Sequence, residues 1–134
     1  MPTPPSARIA SAGDMQVTPG IWVKAILENP SKSQGKYALL STETLSFAEY
    51  LETWSQVTGK RSSYVECSVD DWVKVWGPPG QELALQFQWG ETVKDWWDEF
   101  IPEPRVSAEE LGISMEGIGT KAALEKLKAQ GLLT

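Results

Sequence analysis

Three segments of this sequence place a carboxylate three residues after a serine at the head of a candidate helix: Ser46-Phe47-Ala48-Glu49, Ser68-Val69-Asp70-Asp71 and Ser107-Ala108-Glu109-Glu110. Such a pair opens a helix, because the hydroxyl accepts the N–H of the third helical residue while the acid reaches back to the serine's own N–H. Each start is soon met by a stop: Gly59, then Gly77-Pro78-Pro79, then Gly112. Glycine closes a helix in the left-handed conformation, and proline cannot continue one. Punctuation of this kind marks where helices begin and where they end. No apolar stretch approaches the roughly 20 residues of a membrane span.

The remaining segments read the same way. Thr18-Pro19 predicts a helix with Thr18 as its cap, Ile21, Trp22, Ala25 and Ile26 on one face, and Asn29-Pro30 at its end. Lys36–Leu40 and Ser63–Cys67 are short apolar runs and predict strands. Phe47, Tyr50, Leu51, Trp54 and Val57 fall at helical spacing behind the first capping box. Residues 82–90 are ambiguous. Leu83, Leu85, Phe87 and Trp89 alternate as in a half-buried strand, yet the residues are good helix formers and none is β-branched. A helix running to about Phe100 is the expectation here, apolar on two faces: Leu83, Phe87 and Trp97 on one, Leu85, Trp89, Val93 and Trp96 beside them. Thr120 is expected to cap a last helix that buries Ala123, Leu124 and Leu127 and ends at Gly131. The sum is a small α+β lobe, mostly helical with two or three short strands. Residues 1–12, rich in proline, are expected to be a flexible arm. Residues 13–134 have the length of a single domain.

Charge and composition narrow the chemistry. With 12 basic and 18 acidic residues the net charge is −6, and the basic residues are scattered. Phosphate-backbone binding needs a basic face, so nucleic acid is not an expected partner, nor is a membrane. Histidine is absent, which removes the commonest general base and metal ligand. Cys67 is the sole cysteine, so no internal disulfide forms, and a reducing, cytoplasmic location is expected. With no cation or histidine nearby in sequence to lower its pKa, Cys67 reads as a buried structural thiol. The N-terminus has no apolar run after a basic start and is no secretory signal.

Several motifs have a bland reading and a functional one. Gly117-Ile118-Gly119-Thr120-Lys121-Ala122 matches the Gly-x-Gly-x-x-Ala dinucleotide fingerprint. The fingerprint works only between a strand and a helix of a βαβ unit. No strand precedes it here, so it is read as a loop entering a helix. The adjacent acids Asp70/Asp71, Asp98/Glu99 and Glu109/Glu110 point about 100° apart on a helix and form neither a glycosidase pair nor a metal site. Two of these pairs sit in first helical turns, where acids favour the dipole. Seven tryptophans are unusual for this length. Trp22, Trp54 and Trp72 fit amphipathic stripes and read as core. Phe87, Trp89, Trp96 and Trp97 crowd one segment, and are the candidates for a ligand pocket or partner contact. No residue is assigned a catalytic role, and neither metal nor cofactor is expected to bind.

At a larger scale the residues are familiar. Gly13-Asp14, Trp22 to Pro30, Gly35-Lys36-Tyr37, Trp54 to Lys60, Trp76-Gly77 and Glu109 to Ile113 together resemble the NmrA-like family of atypical short-chain dehydrogenase/reductases, in particular its fungal members. The resemblance spans about residues 13–130 and is to the C-terminal, substrate-side portion. It implies that the Rossmann half, which carries the NAD(P) fingerprint, lies outside this chain. It also implies a helical 81–100 segment. Some members of the family act as redox-sensing regulators through protein contacts. The leading expectation is a non-catalytic domain that holds a small apolar ligand or docks on a protein. Next to it stand a cofactor-free isomerase or cyclase of an apolar secondary metabolite, and a fragment of an NAD(P)-dependent oxidoreductase. Exposed strand edges and the tryptophans also predict a homo-oligomer.

Overall fold

A computed structural model of the chain describes residues 1–93 and 103–133. The elements, in chain order, are β1 (Arg8–Ser11), α1 (Thr18–Glu28), α2 (Pro30–Ser33), β2 (Tyr37–Ala38), β3 (Glu43–Ser46), α3 (Phe47–Thr58), α4 (Val69–Thr92), β4 (Arg105–Val106) and α5 (Thr120–Ala129). About half of the described residues are helical, and the strands form two two-stranded sheets, β1 with β3 and β2 with β4. The fold is α+β. The chain gathers into two compact units. One comprises Met1–Ile9 and Thr44–Lys94, the other Ala10–Glu43 and Asp95–Thr134.

The first unit rests on the first two capping boxes. Ser46 Oγ accepts from the Glu49 N–H at 3.2 Å, and Glu49 Oε2 accepts from the Ser46 N–H at 2.7 Å. Gly59, at φ +76°, ends α3 as expected. Ser68 caps α4 through the Asp71 N–H at 3.1 Å. The Gly77-Pro78-Pro79 stop proves to be a kink instead. Gly77 takes φ 67°, ψ −158°, and the helix restarts on the prolines and runs to Thr92. Proline at the start of a new helical segment has no N–H to waste and its φ is already helical. The ambiguous 82–90 segment is therefore helix. Its inner stripe is Gly80, Ala84 and Phe87, with Ala84 fully buried. Phe87 meets Phe47 edge-on at 5.4 Å and Trp72 at 6.3 Å between ring centroids. Across the kink, Trp72 Nε1 donates to the Gly80 carbonyl at 3.0 Å.

Three expectations for this unit are corrected. Ser63–Cys67 is a loop, not a strand. It bonds to the first residues of the chain: Met1 donates to the Val65 carbonyl at 2.6 Å, the Cys67 N–H donates to the Met1 carbonyl at 2.9 Å, and Tyr64 Oη donates to the Thr3 carbonyl at 2.8 Å. So short and irregular a partner makes no ladder. Cys67 is partly exposed rather than buried. The same bonds bring the proline-rich start into the packing, where composition pointed to a loose arm: Thr3 and Ala7 are buried, and strand β1 begins at Arg8.

The second unit packs around Trp22, Val106, Leu111 and Ile113, all buried, with Ile21, Ala25, Ile26, Ala38, Leu40, Ala108 and Ile118 against them. The expected stripe of α1 supplies four of these. Trp22 is 2% exposed, and its Nε1 donates to the Leu39 carbonyl at 3.1 Å, which ties α1 to the chain after β2. The cap of α1 lies upstream of Thr18. The Asp14 carbonyl accepts from the Val17 and Thr18 N–H groups at 2.9 and 2.8 Å, and Asp14 Oδ1 accepts from Gln16 N–H at 2.9 Å. Thr18 is fully buried as the first helical residue. Asn29-Pro30 ends α1 and starts α2. The Lys36–Leu40 strand shortens to Tyr37–Ala38, which runs parallel to β4 in the register Tyr37↔Arg105, Ala38↔Val106.

Candidate functional site

Parallel strands bring their carboxyl ends to the same side, which is where open α/β crevices take ligands. In the second unit, the chain leaving β2 (Leu39, Ser41) and the chain leaving β4 (Ser107, Ala108) together line an open cleft of about 480 Å³. Its apolar lining is Leu39, Val106 and Ala108, and its polar lining is Ser41, Glu103, Arg105, Ser107 and Glu110.

The third capping box holds one wall in place. Glu110 Oε2 accepts from the Ser107 N–H at 2.8 Å, and the Ser107 hydroxyl accepts from the Glu110 N–H at 3.1 Å. No helix of several turns follows. The box closes a single turn, because Gly112 at φ +72° bends the chain so that the Ile113 N–H returns to the Ala108 carbonyl at 2.9 Å. That bend delivers Leu111 and Ile113 to the core. The Ser107 N–H, with the Ser107 side chain next, holds the Glu110 carboxyl below the ordinary glutamate range against the opposing effect of burial, and Lys36 and Lys32 add to the lowering. Lys32 also donates to the Glu110 carbonyl at 2.8 Å. On the β4 side, Glu103 folds back on its neighbour. Its Oε2 accepts the Arg105 N–H at 3.0 Å and its Oε1 lies 3.4 Å from Arg105 Nε. The Arg105 side chain is only 18% exposed. The cleft thus offers an apolar surface beside fixed charges and two hydroxyls. Among the described residues no group of His, Cys, Asp or Glu is arranged to hold a metal ion.

The Gly-x-Gly-x-x-Ala segment occupies a different place in this unit. Gly119, not Thr120 as expected, is the cap residue of α5, and Thr120 is its first helical residue. The Thr120 N–H donates to Glu43 Oε1 at 2.6 Å, and the Thr120 hydroxyl shares a buried hydrogen bond of 2.7 Å with Ser11. An internal carboxylate therefore fills the position at a helix N-terminus that a phosphate takes in a dinucleotide site. No strand leads into it. The loop-to-cap reading of this motif is the one the structure supports.

The family model of the NmrA-like family matches residues 1–118. The chain belongs to the NmrA-like family. Comparisons with curated proteins and with solved structures found no match. The matched span of this NmrA-like chain takes in the proline-rich start and stops before α5, whereas the resemblance read from the residues ran from 13 to 130.

Of the aromatic residues singled out from the sequence, the two that are described, Phe87 and Trp89, take different faces of α4. Phe87 lies on the inner stripe of α4 in the aromatic cluster of the first unit, and Trp89 lies on the outer face of the same helix, 52% exposed. Trp96 and Trp97 fall outside the described residues. The cleft of this NmrA-like chain leaves little trace in the sequence. Its residues come from two segments far apart in sequence, and only the Ser107–Glu110 box carries a local signal, that of a helix start.

Proposed function

We propose that this NmrA-like chain is a binding lobe, the substrate-side portion of its family's architecture, and that it holds a small, mainly apolar molecule in the cleft beyond β2 and β4. The observation that carries this reading is the cleft's composition: Leu39, Val106 and Ala108 beside the hydroxyls of Ser41 and Ser107 and the braced charges of Arg105 and Glu110. Apolar walls with a few convergent polar groups are what ligand sites use to gain affinity and orientation respectively. The lobe binds and positions without itself supplying a catalytic group. A shaped pocket can still promote an isomerisation by holding one conformer, which keeps the isomerase or cyclase reading within the same site.

The test is a set of small apolar fragments followed by 15N-detected amide shifts of the full chain. Fragments that bind should move the signals of Leu39, Val106 and Ala108 together, and Ala108→Trp, which fills the cleft, should abolish the shifts while leaving the thermal midpoint near the parent value. Shifts confined to other parts of the chain, or shifts that survive Ala108→Trp, would remove the reading.

A further inference from the structure

Beyond its kink, α4 has two faces of unlike fate. Gly80, Ala84 and Phe87 turn inward, whereas Pro78, Glu82, Leu85, Gln86 and Trp89 share the outer face. Leu85 is 61% and Trp89 52% exposed, and the two lie one helical turn apart. Large apolar side chains adjacent on a helix stabilise it little by themselves in water, and contiguous exposed apolar surface marks interaction sites. Between Gly77 and Gly90 the single charged residue is Glu82, and the sequence has no basic residue between Lys74 and Lys94.

We propose that this outer face docks an amphipathic segment of a partner protein that sets a lysine or arginine beside an apolar stripe. The apolar stripe covers Leu85 and Trp89. The cation answers Glu82, whose carboxylate would otherwise be taken from water without a counter-charge, a costly change. A second copy of this chain fits less well. Packed antiparallel about the middle of the segment, it would set Glu82 against Trp89; packed parallel, it would set Glu82 against Glu82; and it brings no cation to either arrangement. Nucleic acid and anionic lipid are opposed by the net charge of −6. The inference is independent of the cleft, which belongs to the other unit, so loss of one activity leaves the other measurable.

The probe is a synthetic helical peptide of leucine and lysine with its leucines at helical spacing, titrated against the full-length chain by fluorescence anisotropy. The controls are a scrambled peptide of the same composition and a leucine–glutamate peptide of the same pattern. The expected result is micromolar binding of the patterned lysine peptide and binding at least tenfold weaker for both controls. Leu85→Ser and Trp89→Ser should each weaken it tenfold or more, and Glu82→Lys should weaken it further than salt does. Equal binding of the scrambled peptide overturns the proposal, because charge alone then explains it. Unchanged affinity in Leu85→Ser also overturns it. So does self-association of the chain that the same two substitutions dissolve. Should Trp89→Ser fail to fold, amide exchange on the unmodified chain decides: protection by the peptide must centre on residues 82–89, and protection elsewhere overturns the proposal.

Discussion

Gly13 is the residue at which a single methyl group should matter most. Its φ is +66°, and a Cβ built on it would stand 1.9 Å from the carbonyl oxygen of Ile118, 3.0 Å from that carbonyl carbon and 3.4 Å from Thr42 Cγ2. Two separable penalties follow for Gly13→Ala. An L-residue in the left-handed region costs roughly 1–2 kcal/mol. A carbon and a carbonyl oxygen normally approach to about 3.3 Å, so one backbone must retreat by about 1.4 Å. The retreat has little room: the Gly13 N–H donates to Ser11 Oγ at 3.2 Å, and that oxygen shares the buried bond with Thr120. Forcing atoms into packed space costs roughly 1–3 kcal/mol, so the total is about 2–5 kcal/mol. Gly35→Ala isolates the first penalty, since Gly35 has φ +72° in the same unit with nothing within 4 Å of its added Cβ. Gly20→Ala, on α1 with open space and ordinary φ, should stabilise by about 0.5–1 kcal/mol. Urea titrations followed by tryptophan fluorescence give all three values. If Gly13→Ala costs no more than Gly35→Ala, the close approach of Gly13 to Ile118 is refuted.

Other perturbations test other parts of the structure. Trp22→Phe keeps most of the buried ring but strands the Leu39 carbonyl, and should cost about 1–3 kcal/mol; Trp22→Ala should cost about 3–5 kcal/mol in the same urea assay. Gly80→Ala should destabilise by about 1–3 kcal/mol and alter the near-ultraviolet tryptophan signal, because its Cβ would meet Trp76 Cβ at 2.6 Å; a gain in stability would show that the kink is not packed this way. Glu43→Ala should fray the start of α5 and cost about 1 kcal/mol, read as faster amide exchange at Thr120, which should stay unchanged if Glu43 is not the cap. Folded-state carboxyls are held low at Asp14 by Lys126, at Glu49 by the Ser46 N–H, at Asp71 by Lys74 and at Glu110 by the Ser107 N–H. Groups depressed on folding stabilise fully above their unfolded values, near about pH 4, and lose that contribution as pH falls through the lower folded values. Stability should therefore be flat from neutrality to about pH 5 and decline below about pH 4, with a shallower decline in Asp14→Asn; a parallel decline in that variant would refute the Asp14–Lys126 pairing.

How much of this fold is legible in the sequence depends on the range over which each signal acts. The capping serines at 46, 68 and 107, the left-handed Gly59 and the buried stripe of α1 were legible because each depends on residues within a turn or two. The helix over 82–90 was legible through composition once alternation was set against the absence of β-branched residues. Membership of the NmrA-like family was legible through spaced local motifs. Where a local signal had two physical outcomes, packing chose between them. Gly77-Pro78-Pro79 can end a helix or restart one, and the burial of Gly80 against Trp72 and Trp76 favours the restart. The Ser107 box can open a helix or one turn, and the pull of Leu111 and Ile113 into the core favours the turn.

What the sequence determined by itself, then, is where elements begin and break and which face of each is apolar, because backbone capping and side-chain periodicity act between near neighbours. Tertiary structure alone decided the pairing of Tyr37–Ala38 with Arg105–Val106, the capture of Ser63–Cys67 by Met1 in place of strand pairing, and the capping of α5 by Glu43. In each of these a hydrogen-bonding group finds a partner distant in the chain. Any exposed carbonyl or carboxylate carries the same chemistry, so the choice among them is made only when packing within each unit, around Phe47 and Phe87 in one and Trp22 in the other, brings particular ones within about 3 Å. The cleft is a consequence of that choice: its walls are unremarkable residues until β2 and β4 lie side by side.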